Sequence, residues 1–231
     1  MIVSIHQPHY IPWLGYFDKI DAADVFVLLD SVQFEKNGWQ NRNRIKTTNG
    51  WKWLTIPVKH AFGTSIADTV IDNTSHWTNK HFQSLVTNYA RAPFFKAYSE
   101  YFQVVFSQQW DYLLPITTSM LEFFIRKLDI TTSIIKASEL GTFSDDPTDR
   151  LVEIVSRIGG DIYYAGVGSK GYLDDETFKQ AGIKVIFQNY QPVTYTQLYG
   201  EFIPGLSIID TLFNMGEAAL SIIRQGRRTY L

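Results

Sequence analysis

The chain has 231 residues, enough to bury a sizeable core, with 45% hydrophobic and 19% charged residues, the mix of an ordinary globular protein. A formal net charge of −2 provides no global field to recruit nucleic acid or acidic membranes, and the absence of cysteine excludes disulfides, thiolate nucleophiles and zinc–sulfur sites. No basic start followed by an apolar stretch marks a signal peptide, and no apolar run nears the ~20 residues of a membrane helix, so a cytoplasmic protein without membrane insertion is expected.

In chain order, MIVSI (1–5) reads as a buried strand, GYFDKIDAA (15–23) as a helix and DVFVLLD (24–30) as a second strand. Strand, loop, helix and strand in about thirty residues make a βαβ unit, whose crossover implies a parallel sheet. NKHFQSLVTNYA, FFKAYSEYFQVVF and YLLPITTSMLEFFIRKL carry helical spacing and read as an inserted helical lobe at about 76–130. The alternation then resumes. TTSIIKA is a strand, and DDPTDRLVEIVSRIGG a helix capped by Asp146, opened by Pro147 and ended by Gly159. DIYYAG and IKVIF are strands, with a helix in YLDDETFKQAG between them; SIIDTLFNMG and EAALSIIRQG are helical, with Ser207 as N-cap and Asp210 three residues later in the manner of a capping box. The expected fold is α/β: one Rossmann-like domain over 1–231, with an open, mostly parallel sheet, the helical insertion and a basic hairpin.

Ligands of open α/β sheets bind beyond the carboxyl ends of the strands. IHQPHYIPWLGYF (5–17) falls on the first such loop, stiffened by Pro8 and Pro12. His6 is a candidate general base or hydrogen-bonding group, His9 follows three residues on, and Trp13 and Tyr16 offer faces for a sugar or base while also suiting the role of helix anchors. No nearby carboxylates complete a metal site. Asp30, at the end of the second strand, is a candidate to orient His6 or accept a proton.

Residues 30–59 concentrate Lys36, Arg42, Arg44, Lys46, Lys52 and Lys59 among Gln33, Asn37, Asn43 and three tryptophans, including Trp39, with no acid between Glu35 and Asp68. Guanidinium forks suit phosphate or carboxylate, amides suit hydroxyls and indoles suit rings. A nucleotide-activated sugar combines all three. The Asn-Gly pairs at 37–38 and 49–50 also mark tight turns of a solvated hairpin.

IHQPHYIPWLGYFDKI, DVFVLLDSVQFEKNGWQNRNRIK, WLTIPV, HWTNKHFQSLVTNYARAPFF, GSKGYL and EFIPGLSIIDTLFNMG occur in order over nearly the whole chain, and together they resemble the WbqC-like family. The resemblance implies a setting in bacterial O-antigen and related surface-polysaccharide biosynthesis, with glycine transfer to a sugar as a suggested activity. It adds Tyr172 to the candidates. Ser169 is followed here by Lys170 where the family resemblance leads one to expect glycine, which weakens an anion-binding role for Ser169.

Three functions compete. The first is an acyl or aminoacyl (glycyl) transferase acting on a nucleotide-linked amino sugar. In that reading His6 is the base oriented by Asp30, Arg42 and Lys36 clamp the diphosphate, Asn43 and Gln33 hold hydroxyls, and Asn37 donates to the oxyanion. The second is an adenylate-forming or nucleotidyl-transfer enzyme, because HQPH shares its histidine spacing with an H-x-G-H motif. The third is a non-catalytic RNA- or partner-binding module; the near-neutral charge argues against nucleic acid. The cofactor is left open between a nucleotide and an activated acyl donor, with Mg²⁺ compatible, and the oligomeric state is not specified.

Overall fold

The computed structural model describes residues 1–59, 61–171 and 173–229. The elements in chain order are β1 (Ile2–His6), α1 (Leu14–Asp21), β2 (Val25–Leu28), β3 (Arg42–Thr47), β4 (Gly50–Thr55), β5 (Val58–Lys59) and β6 (Val70–Ile71). Three helices follow, α2 (Trp77–Tyr89), α3 (Phe95–Ser107) and α4 (Leu113–Lys127). The remainder is β7 (Ser133–Lys136), α5 (Ala137–Leu140), α6 (Pro147–Ile158), β8 (Ile162–Ala165), α7 (Asp175–Gln180), β9 (Lys184–Phe187), α8 (Ile208–Met215) and α9 (Ala219–Gly226).

Five strands form the central sheet in the order β7-β2-β1-β8-β9, every pair parallel. Numbered by their appearance, that order is 3-2-1-4-5, so the chain reverses its direction of travel between β1 and β8. Such a reversal opens a crevice at the carboxyl edge, where the loops leaving the two central strands diverge.

The strands are short apolar runs because both faces are covered. Val3, Ile5 and Val27 pack with Leu151, Val155, Phe178 and Ile183, the side of α6 and α7. Phe26 and Leu28 face the larger cluster, which includes Phe17 and Ile20 of α1 and Phe124 of α4. The helices α2 to α4 lie in sequence between β6 and β7, where the helical spacing locates them. Helix α6 begins and ends as its sequence dictates. Asp146 accepts from the N–H groups of Thr148 and Asp149, and Gly159 closes the helix at φ +81°, in the left-handed region that favours glycine.

Two details depart from the sequence reading. Ser207 precedes α8 but forms no side-chain cap, and its buried hydroxyl has no partner among the described residues. Asp210 is no capping-box acid: its carboxylate oxygens accept from Tyr89 Oη (2.9 Å) and Tyr195 Oη (2.8 Å), tying α8 to α2 and to the segment before α8. The β3–β4 hairpin does turn where the Asn49-Gly50 signal lies, but its two loop residues are Thr48 and Asn49, with Gly50 paired to Thr47 as the first residue of β4. Among the described residues no helix is long and apolar enough to cross a membrane.

Candidate functional site

The loop after β1 is held rigidly by groups distant in sequence. The Tyr10 N–H donates to Trp39 O at 3.2 Å, and the Asn43 amide donates to Ile11 O at 2.9 Å and Tyr10 O at 3.3 Å. Gln40 donates to Gln7 Oε1 at 2.8 Å, and Ile208 N–H to Pro12 O at 2.7 Å. These bonds hold Ile11 at φ +40°, a costly value for a β-branched residue. Next to the loop, the Trp13 indole lies so close over Gly15 that a Cβ there would sit 2.4 Å from the ring.

This loop forms one wall of a cleft of about 650 Å³ at the β1/β8 switch point. Ile5, His6, His9 and Lys19 line it from the β1 side, and Gly166, Gly168 and Ser169 from the turn after β8. Trp39, Arg44 and Glu35 come from the hairpin region, and Trp13 and Gly205 complete it.

The base of the cleft is electrostatically unusual. Lys19 is 2% exposed, and its ammonium donates to Ile5 O at 2.9 Å. Its neighbour Asp18 is committed elsewhere, to Arg227 at 2.6 Å and Gln188 at 2.7 Å. Burial therefore disfavours the Lys19 charge, only partly offset by Asp18, and pushes its pKa down to about 7. His6 and His9 stand edge to face with ring centroids 4.6 Å apart. Burial, and then the charge of Lys19, lowers both; His9 falls to about 3 and His6 well below the usual range. His6 Nδ1 lies 3.1 Å from Gln7 O. A carbonyl only accepts, so Nδ1 carries the proton and Nε2 of the neutral ring is left as an acceptor. His9 is 9% exposed, and its buried Nδ1 has no hydrogen-bond partner among the described residues.

The structure redistributes the remaining candidates. Asp30 does not orient His6: it is fully buried, and its oxygens accept from Ser138 N–H (3.0 Å) and Oγ (2.6 Å), pinning the start of α5. Tyr16 is no stacking platform, being 1% exposed, with its rim against both histidines and its hydroxyl donated to Gln7 O. Asn43 is spent on the opening loop. Asn37 sits in an exposed turn at φ +67° and accepts from the Arg42 guanidinium through its backbone and side-chain oxygens, far from an oxyanion-hole role. Arg42 lies over the Trp53 ring at 4.4 Å and, like the exposed Lys36, is outside the cleft lining. Gln33 is exposed and borders a neighbouring cavity instead. Tyr172 lies outside the described residues.

Arg44, two positions on from Arg42 along the same strand face, is the cation that reaches the cleft. It donates to Gly205 O at 3.0 Å and lies 5.1 Å from the Trp51 ring centroid and 5.7 Å from that of Trp39. Of the candidates named from sequence, the cleft thus gathers His6, Trp13 and Trp39, together with His9. Arg44 is the one of the six basic-segment cations that lines it, and Lys19 is an addition. Lys19 shares a helix face with Tyr16 three residues earlier, but that spacing alone does not show that the face is buried. Ser169 also lines the cleft, but its hydroxyl is turned back onto Gly166 O at 2.7 Å.

A parallel sheet in this order with a polar cleft at its switch point defines an α/β protein of the Rossmann-like class. The chain belongs to the WbqC-like protein family, whose profile matches residues 7–222. It is 34% identical over 230 residues to a protein of Mycobacterium tuberculosis named "Uncharacterized protein Rv1507c", an alignment covering 98% of this chain and 99% of the relative. No solved structure matches it.

Proposed function

We propose that the protein is a transferase that moves an acyl or aminoacyl group onto the amine of a nucleotide-linked amino sugar in surface-polysaccharide biosynthesis. One observation carries this reading: at the base of a switch-point cleft a buried lysine, bonded to the Ile5 carbonyl, stands beside the paired rings of His6 and His9, and burial pushes its pKa down to about 7. Acyl transfer to an amine needs a base that is substantially neutral at physiological pH yet strong enough to take a proton. Catalytic pKa values near the working pH meet both needs. Lys19 fits that requirement better than His6, whose pKa is driven too low to make a strong base.

In the proposed step the acceptor nitrogen attacks the activated carbonyl carbon. The new C–N bond forms, the bond to the leaving group breaks with its electron pair, and the amine's proton passes to Lys19 Nζ. His6 Nε2 accepts a hydrogen bond from the incoming substrate and orients it. Arg44 meets the diphosphate, and Trp39 stacks on a ring of the ligand. With no cysteine in the chain, direct transfer is preferred over a thioester intermediate.

The test is a thermal-shift panel of nucleotide-sugars and nucleoside diphosphates on the wild type and on Arg44→Ala, followed by a transfer assay on the ligands that bind. A nucleoside diphosphate compound is expected to stabilise the wild type and not the mutant; inert nucleotides would remove the proposal. The close approach of His6 and His9 directly before α1 favours a second reading, nucleotidyl transfer with both rings on phosphate. ATP–pyrophosphate exchange that depends on both histidines would select it.

A further inference from the structure

A second cavity, of about 570 Å³, adjoins the cleft on the other side of the opening loop. The two share Gln7 and Glu35, which border both. Its remaining walls are the turn after β2, with Ser31 and Gln33, and the loop between α5 and α6, with Thr142, Ser144 and Asp145. It therefore opens at the carboxyl edge of the sheet, beside the switch-point cleft.

The two spaces differ in chemistry. The first carries Lys19 and Arg44 against the single acid Glu35. The second carries Glu35 and Asp145 against a single cation, Arg150, whose guanidinium is spent on its own loop: it donates to Ser144 O at 2.9 Å and Asp145 O at 2.7 Å. Among the described residues neither Glu35 nor Asp145 forms a salt bridge. Gln7 accepts from Gln40 through Oε1, so its amide N–H₂ stays available as a donor at the boundary. A space bordered by an unpaired carboxylate, an amide donor and several hydroxyls is complementary to a small primary ammonium on a skeleton bearing hydroxyl or carbonyl oxygens. It is a poor match for a phosphate.

We propose that this second cavity seats an amine-bearing substrate, with Glu35 holding its ammonium at the boundary and Gln7 donating to the adjacent oxygen. A carbonyl carried beside that ammonium is then presented to the cleft that contains His6 and Lys19; where the held amine is itself the nucleophile, it first gives one proton to the Glu35 carboxylate, attacks as the neutral amine and gives its second proton to Lys19 Nζ. This rests on the transferase reading only in giving the Arg44 side to the nucleotide. The ammonium has two chemical sources, an amino sugar or an aminoacyl group, and they share the recognition described.

The experiment is a ligand-observed NMR titration of the full chain with glucosamine and glycinamide, using glucose and acetamide as uncharged counterparts and UDP in parallel. At least one ammonium probe is expected to bind roughly tenfold more tightly than its neutral counterpart, the size of a charge-assisted hydrogen bond. Glu35→Gln should erase that difference. Thr142→Trp, on an exposed loop that lines only the second cavity, should abolish probe binding and leave UDP affinity unchanged. The responding probe identifies the source. Ammonium probes that bind no better than neutral ones, probes displaced by UDP, or probes indifferent to Thr142→Trp would each overturn the proposal. UDP inert on wild type while an ammonium probe behaves as expected would remove the nucleotide half of the transferase reading and leave this site standing.

Discussion

Two regions bury charge, and they do so in opposite ways. Around Asp210 burial raises the carboxyl's pKa, but partners oppose it: Tyr195 and Tyr89 donate to its two oxygens and Lys46 favours the anion, with its own ammonium bonded to Gln197 Oε1 at 2.9 Å. Around Lys19 the ammonium has, among the described residues, one bonded acceptor, a main-chain carbonyl, and the adjacent carboxylate is held by an arginine. A satisfied buried charge knits elements together; an under-satisfied one stores reactivity. The contrast separates polar residues that tie elements of this fold together from those whose hydrogen-bonding capacity is not used up by it.

The largest expected effect falls on the satisfied region. Asp210→Ala leaves two buried tyrosine hydroxyls without an acceptor and should cost about 3–5 kcal/mol of stability by urea unfolding. Lys19→Met should behave conversely. It removes an ill-solvated ammonium, so the fold is expected to hold or gain stability, while the transfer rate falls by about 10²–10⁴-fold. A Lys19→Met protein that is fully active would place the base elsewhere, and one that unfolds would erase the distinction between the regions.

Much of the frame was legible from sequence. Short apolar runs predicted all five central strands, and Asp146, Pro147 and Gly159 marked helix α6. The first βα loop was correctly placed at the carboxyl edge of the sheet because order along the chain determines it. What was not legible depends on distant partners. Asp30 looks like a free carboxylate until β7 brings Ser138 to it. Asn43 looks like a sugar ligand until the opening loop folds onto it. Lys19 looks like a solvated helix residue because α1, unlike a surface helix, is covered on nearly every side. Helical periodicity shows which residues share a face, not how many faces are buried.

Arg42 and Arg44 offer a sharper version of the same comparison. They lie on one face of β3, and no local rule separates them. Arg42 is tied back to the Asn37 turn, whereas Arg44 lines the cleft beside Gly205. Arg44→Ala is expected to weaken nucleoside diphosphate binding by about 1.5–3 kcal/mol, the range of a hydrogen bond to a charged group, and Arg42→Ala by much less, as measured by calorimetric titration. Equal losses would place the anion over the exposed tryptophans rather than in the cleft.

The smallest effect is a slope. Lys19 has a folded pKa near 7 against an ordinary value of 10.5, so between those limits the unfolded chain holds a proton that the folded chain has released. Stability contributed through Lys19 must therefore rise with pH across that window, by at most about 1.4 kcal/mol per unit, and stay constant below it, where both states are charged. His9, lowered to about 3 from 6.5, completes its rise by neutral pH. Tyr16, pushed up by burial from 10, opposes the trend only in more alkaline solution. Between pH 7.5 and 9.5 the two effects leave Lys19 exposed to measurement, and subtracting the Lys19→Met curve from the wild-type curve cancels the contribution of Lys46, whose pKa burial also lowers. A positive difference slope over that interval would mark Lys19 as an amine released from its proton by folding. A flat one would mean that it stays charged, and the base would then have to be sought at His6.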